Sequence, residues 1–207
     1  LLGDKHLSES TCSVEIDEAL TAFEGARLWA GGGEYKRYAF TDDGISPLAF
    51  PGTEGAIVKS DSYEHDEYGV TTEEADLIAR GHEKRLRKMK ALEAELRGRK
   101  TVMTYGDPKS DTAIVTWGST KGAAAEVAEE RGLLLVQPMY LHPLPTREIE
   151  GHLRNVRKVV CAEVNAKGQL GIWLRCHGLR VDESVLKYNG RPFTVDELDA
   201  RIGEAIR

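Results

Sequence analysis

No Cys-x-x-Cys pair occurs in this sequence, and its three cysteines, Cys12, Cys161 and Cys176, stand far apart. That excludes a zinc ribbon or an iron–sulfur cluster built from this chain alone, and leaves three reduced thiols of a cytoplasmic protein as the expectation. No apolar run approaches the ~20 residues of a membrane-spanning helix, and the N-terminus carries no signal-peptide pattern. An initiating Met is missing too: the chain opens at Leu1, as a fragment would whose start lies upstream. Nor is there a surplus of positive charge. The net charge is −6, which argues against a nucleic-acid-binding protein. That total hides one basic stretch, residues 80–100, with nine Lys and Arg against three Glu.

What the sequence does have is a long glycine-rich stretch, Gly31 to Gly69, without helical or strand period. Irregular loops much beyond ~15 residues are uncommon in compact domains and are usually functional or disordered. This one contains Tyr35, Tyr38, Phe40, Phe50, Tyr63 and Tyr68, with Ile45, Leu48, Ile57 and Val58. Disordered segments are depleted in such residues, so the loop is expected to pack on something. Asp43-Gly44, Phe50-Pro51-Gly52 and Glu54-Gly55 supply its turns.

On either side the period returns. Leu1–Gly3 reads as the tail of a strand, and Ile16, Leu20 and Phe23 mark a short amphipathic piece. This front part is expected to complete a domain whose earlier strands precede it. Thr71-Thr72-Glu73-Glu74 predicts the N-terminus of a helix reaching about Arg97, with a narrow apolar stripe of Leu86, Met89, Leu92 and Leu96. It reads as a connector packed on one side, its basic face solvated.

From Lys100 strands and helices alternate. Strands are expected at Thr101–Tyr105, Thr112–Trp117, Leu133–Gln137, Lys158–Val164 and Val185–Tyr188. Helices are expected at Ala123–Arg131, from a Thr146 cap to Arg154, at Gly168–His177, and after Phe193 with a Thr194/Glu197 capping box. Residues 100–207 thus read as an α/β domain, a parallel sheet with helices on both faces.

Two places invite chemistry. Trp117-Gly-Ser-Thr-Lys-Gly122 hands a strand to a helix, and Ser119, Thr120 and Lys121 would suit an anion there. The same residues suit a plain capped turn, and the first glycine of a Walker A loop is missing. Glu64-His65-Asp66-Glu67 holds metal-ligating residue types, but chain neighbours point in different directions and no second cluster stands at ligand spacing. His65 is better read as a hydrogen-bonding residue of a cofactor pocket. Lys36 and Arg37 could receive a carboxylate or phosphate.

The wording of the loop, EYKRYAFTDDGISPLAFPG followed by EHDEYG and a long basic helix, resembles the alpha subunit of the 2-oxoacid:ferredoxin oxidoreductases. DKHLSES near the start and TAIVTWGSTKGAAAE further on resemble the same subunit in the same order. The resemblance implies decarboxylation of a 2-oxoacid on thiamine diphosphate and Mg, transfer of the acyl group to coenzyme A, and passage of electrons through iron–sulfur clusters to ferredoxin. It implies that 1–99 is the end of a pyrimidine-type domain with a long loop and connecting helix. It likewise makes 100–207 a three-layer domain like the transketolase C-terminal domain. The family's Tyr-Pro-Ile-Thr-Pro and Gly-Asp-Gly…Asn motifs are absent here. The cofactor and clusters then belong to a missing domain and to partner chains: the beta subunit, with or without gamma and delta subunits, in a cytoplasmic hetero-oligomer with no nucleic acid or membrane partner. Arg37, Tyr38, Thr41, Ser46 and His65 are the expected pocket contacts, Arg37 for the substrate carboxylate. After Ile45-Ser46-Pro47 many members carry Arg where this chain has Leu48, and an apolar residue there favours a less charged 2-oxoacid. The competing reading is a non-catalytic α/β module that assembles subunits or binds an anion such as phosphate or coenzyme A through the Gly118–Gly122 turn.

Overall fold

A computed structural model describes residues 9–11, 13, 15 and 25–207. The strand expected at Leu1–Gly3, the amphipathic residues Ile16, Leu20 and Phe23, and Cys12 lie outside the described residues. Those described form two compact units, one of residues 9–11 with 99–207 and one of residues 13, 15 and 25–98.

The α/β unit is built on a five-stranded sheet of β1 (Val102–Gly106), β2 (Thr112–Val115), β3 (Leu134–Pro138), β4 (Lys158–Glu163) and β5 (Glu183–Leu186), in the order β1-β3-β2-β4-β5. Helices α2 (Lys121–Arg131), α3 (Thr146–Leu153), α4 (Gln169–Cys176) and α5 (Val195–Ala205) alternate with the strands. The label α1 is kept for the helix Ala75–Leu96 of the other unit. Side chains alternate across each strand, and two cores result. Ala113 and Val115 of β2 face Ile149 of α3 and Leu174 of α4; Ile114, between them, faces Val127 of α2 and Leu198 of α5. The architecture is therefore three-layered, as the alternation predicts.

The sheet is not wholly parallel. β1 runs antiparallel to β3, with Thr104 opposite Val136. No helix separates β1 from β2, so no crossover is available to make it parallel to a neighbour. Helix starts differ in detail as well. Thr194 accepts from the Glu197 N–H at 3.3 Å as expected, whereas the cap position of α3 is Pro145 and Thr146 is its first residue. Similarly, Glu74 occupies the cap position of α1, with Thr72 Oγ1 accepting the Glu74 N–H at 3.1 Å.

The second unit consists of α1 and the long irregular segment before it. Among the described residues two isolated bridges, Leu28 with Leu48 and His65 with Thr71, punctuate that segment. It has a small core of its own: the Tyr35 hydroxyl accepts the Ala49 N–H at 2.9 Å and its ring lies 5.4 Å from that of Trp29. Of the expected apolar stripe of α1, Leu96 is buried and Met89 half-buried, while Leu86, 65% exposed, and Leu92 face outward. Gly81 is buried and Lys84 and Arg87 are half-buried as well. This helix therefore meets the loop through cations that bond loop carbonyls, a pattern no apolar count detects.

Candidate functional site

The loop is fastened to itself and to α1 by polar contacts. Glu67 is the first fastener: its carboxylate accepts the Phe40 N–H at 2.9 Å and pairs with Lys36 at 3.1 Å, while its carbonyl accepts the Tyr38 N–H at 2.9 Å. Burial pushes the Glu67 carboxyl up, but the Phe40 N–H and the Lys36 ammonium together hold it below its usual value. Lys84 is the second. Its ammonium donates to the Tyr38 carbonyl at 3.1 Å and to the Ser46 hydroxyl, which itself donates to the Ala39 carbonyl at 3.0 Å. Burial, then the neighbouring charges of Arg37, Lys88 and Arg85, lower the Lys84 ammonium from its ordinary value.

These contacts enclose a cavity of about 320 Å³ within this unit, walled by Arg37, Tyr38, Ser46 and His65 from the loop and by Lys84 and Lys88 from α1. Four of the five expected contact residues are thus brought together. Thr41 is not in the lining; its carbonyl accepts from Arg87 Nη2 at 3.4 Å. Leu48 is absent from the lining as well, its N–H bonded to the Arg27 carbonyl at 2.8 Å, so its missing charge cannot shape this cavity. The expectation of a less charged substrate loses its footing with that placement.

The charge of the lining is positive: Arg37, Lys84, Arg85 and Lys88 against Asp66. Arg85 pairs with Glu64 at 2.8 Å, and Asp66 is engaged with the N–H groups of Tyr68 and Val70, both at 2.9 Å. Among the described residues, neither Arg37 nor Lys88 has an ion-pair partner. The Arg37 guanidinium lies 5.0 Å from the centre of the Tyr38 ring, a contact that orients it without neutralising it. Such a cavity suits a small carboxylate.

His65 stands against Tyr38 with ring centres 3.7 Å apart, and both of its ring nitrogens are shielded without a hydrogen-bond partner. It lines the wall, and neither of its nitrogens is paired within the chain. Glu64, Asp66 and Glu67 each point to a separate partner, as chain neighbours do.

The Gly118–Thr120 turn is a single 3₁₀ turn leading into α2, and Thr120 makes no side-chain cap bond. Ser119 and Thr120 are half-buried, and the Lys121 ammonium lies 5.4 Å from the centre of the Tyr105 ring rather than over the turn. With Lys121 against the Tyr105 ring and no side-chain cap at Thr120, the fold adds no observation in favour of the anion-binding module.

The sequence reading missed Lys84 and Lys88 as cavity residues. The available signal was their place one and two turns after Gly81, on the helix face where a small residue lets the loop approach.

No protein-family model matches the chain. Over its whole length it is 32% identical to the alpha subunit of 2-oxoacid:ferredoxin oxidoreductase 1 from Sulfurisphaera tokodaii, of which it covers 34%. It is 36% identical over 84% of its length to the corresponding subunit from Saccharolobus solfataricus, covering 28% of that protein. The backbone matches a 2-oxoglutarate:ferredoxin oxidoreductase from Magnetococcus marinus, solved with 2-oxoglutarate, coenzyme A and succinyl-CoA bound. There the TM-score is 0.74 and the identity 30%, over 87% of this chain and 32% of that one. The chain spans about a third of the length of the curated relatives it matches. Loop motif, α/β architecture and whole-length similarity agree: this chain is a homologue of the alpha subunits of the 2-oxoacid:ferredoxin oxidoreductases.

Proposed function

We propose that the chain is the C-terminal part of such an alpha subunit and that its loop cavity receives the carboxylate of a 2-oxoacid. The reaction is coenzyme A-dependent oxidative decarboxylation to an acyl-CoA, with electrons passed to ferredoxin. The observation that carries the reading is the convergence of Arg37, Lys84 and Lys88 on one cavity, built from the loop that bears the family's motif. In this reading residues 1–99 close a pyrimidine-type domain and supply the loop and connecting helix, and 100–207 form the transketolase C-terminal-like domain.

The donors present do not fit the cofactors. Among the described residues no group of three or more His, Cys, Asp or Glu is placed to hold a metal ion. The reading therefore assigns thiamine diphosphate and its Mg ion to the remainder of the subunit and to a beta subunit, and the iron–sulfur cluster to a partner chain. The proposed assembly is a cytoplasmic hetero-oligomer, with or without gamma and delta subunits, and ferredoxin is its electron acceptor. No described helix is long and apolar enough to cross a membrane.

This chain's own contribution is to bind and orient. Arg37 offers an unpaired guanidinium, Lys84 holds the Tyr38 and Ser46 segments that frame it, and Tyr38 and His65 provide an aromatic wall. Kinetics of the assembled enzyme with Arg37→Ala test the reading. KM for the 2-oxoacid is expected to rise about tenfold or more, the loss of a charge-assisted contact. An unchanged kcat/KM would remove Arg37 from the site.

A further inference from the structure

A second cavity, about 590 Å³, lies in the α/β unit and has no part in the reading above. Trp117, which follows β2, and Asn165, which follows β4, line it, together with Leu141 and His142 from the segment after β3. Along the parallel strands the order is β3-β2-β4-β5, so the chain leaves β2 for one side and returns to β4 on the other. The crevice at the carboxyl ends of β2 and β4 is therefore the topological switch point, where open α/β sheets bind ligands.

At such a point the common ligand is a phosphate resting on a helix N-terminus. Here that place is taken. Glu163, 1% exposed, accepts the N–H groups of Leu170 at 2.9 Å and Gly171 at 3.1 Å. Asn165 Oδ1 accepts those of Lys167, Gly168 and Gln169 at 3.1, 2.7 and 3.1 Å. With a buried acidic residue at the start of α4 and no Lys or Arg in the lining, an anion finds no counter-charge.

What the cavity offers is aromatic surface with a few open hydrogen-bonding groups. The Trp173 indole is held in place by its Nε1–H, which donates to the Leu141 carbonyl at 2.7 Å, and by the His177 ring at 4.3 Å. Trp117 is 45% exposed, and neither its indole N–H nor the Gln169 amide has a partner among the described residues. Apolar walls with a few convergent polar groups and this volume are the usual make-up of a small-molecule site. We infer that the switch-point cavity binds a neutral, planar heteroaromatic molecule of the nucleobase class. The ring stacks on indole surface, and Trp117 Nε1 and Gln169 read its polar edge.

Isothermal titration of the intact protein with adenine tests this. The expected result is binding with Kd below about 1 mM, weakened about tenfold or more by Trp117→Ala, since base–aromatic stacking is worth roughly that factor or more. Gln169→Ala, at an exposed position whose side-chain amide is unpaired among the described residues, is expected to weaken binding severalfold and keeps the test open should Trp117→Ala fail to fold. Inorganic phosphate is expected not to compete. Coenzyme A distinguishes the source: displacement of adenine assigns the ring to the base of a larger cofactor, and no displacement to a free heterocycle. Absence of adenine binding, equal binding by Trp117→Ala and Gln169→Ala, or displacement by phosphate overturns the inference.

Discussion

A β-carbon placed on Gly44 would lie 2.4 Å from the backbone carbonyl oxygen of Lys84. The loop thus meets α1 at a separation only glycine permits, and at a φ of +76° that other residues rarely adopt. Gly44→Ala is expected to lift the loop tip from the helix, at a cost above about 2 kcal/mol from left-handed strain plus backbone overlap. Chemical denaturation checks the stability. Because Gly44 lines the cavity, 2-oxoacid binding is expected to weaken in parallel.

Lys84 joins two parts of the loop that lie eight residues apart in sequence, at Tyr38 and Ser46. Lys84→Met is expected to cost about 1 kcal/mol once solvent screening is allowed for, and to loosen the loop without unfolding the α/β unit. Hydrogen exchange reads the difference: amides of residues 36–46 lose protection while those of β2 and β4 keep theirs.

Glu67 gives this unit an acid limit. Its folded carboxyl lies below its ordinary value, so the unfolded chain binds the proton more readily as pH falls. The stabilisation is complete above the ordinary carboxylate range and is lost as pH drops through the lowered folded value. Unfolding midpoints from pH 7 downward, compared with Glu67→Gln, should converge in that acid window and differ above it.

Much of this was legible in advance, for physical reasons that stop at definite residues. The β2 run Thr112–Val115 is β-branched and flanked by turn residues, and the Thr194/Glu197 box announces α5, so local chemistry suffices for both. The loop was legible as packed because it is rich in tyrosine. Its packing partner was not, because α1 meets it through Lys84 and Arg87, which stand outside the expected apolar stripe. A cation satisfied by carbonyls leaves no mark in hydrophobic periodicity. Arg37, Tyr38, Ser46 and His65 converge because of contacts to Glu67 and Lys84, separated by more than 20 residues from at least one of their partners. Such long-range contacts have no local signature.

Glu163 shows the same limit in the α/β unit. An acidic residue after the apolar run Val159–Ala162 is unusual, yet only the fold reveals that it satisfies the Leu170 and Gly171 N–H groups in the first turn of α4. Glu163→Ala is expected to cost about 3 kcal/mol, because buried donors of Leu170 and Gly171 lose their acceptor. Thermal unfolding measures it, with a lowered midpoint and no change in the loop's hydrogen exchange.

The antiparallel edge strand carries a consequence for the order of assembly. Among the described residues β1 is the first strand of its sheet in chain order, yet its partner there, β3, begins 28 residues after β1 ends. Contacts made across such a span wait on loop closure. During synthesis the β1–β3 ladder waits until β2, α2 and β3 have emerged, so this antiparallel pairing closes only after the parallel strands it borders are available.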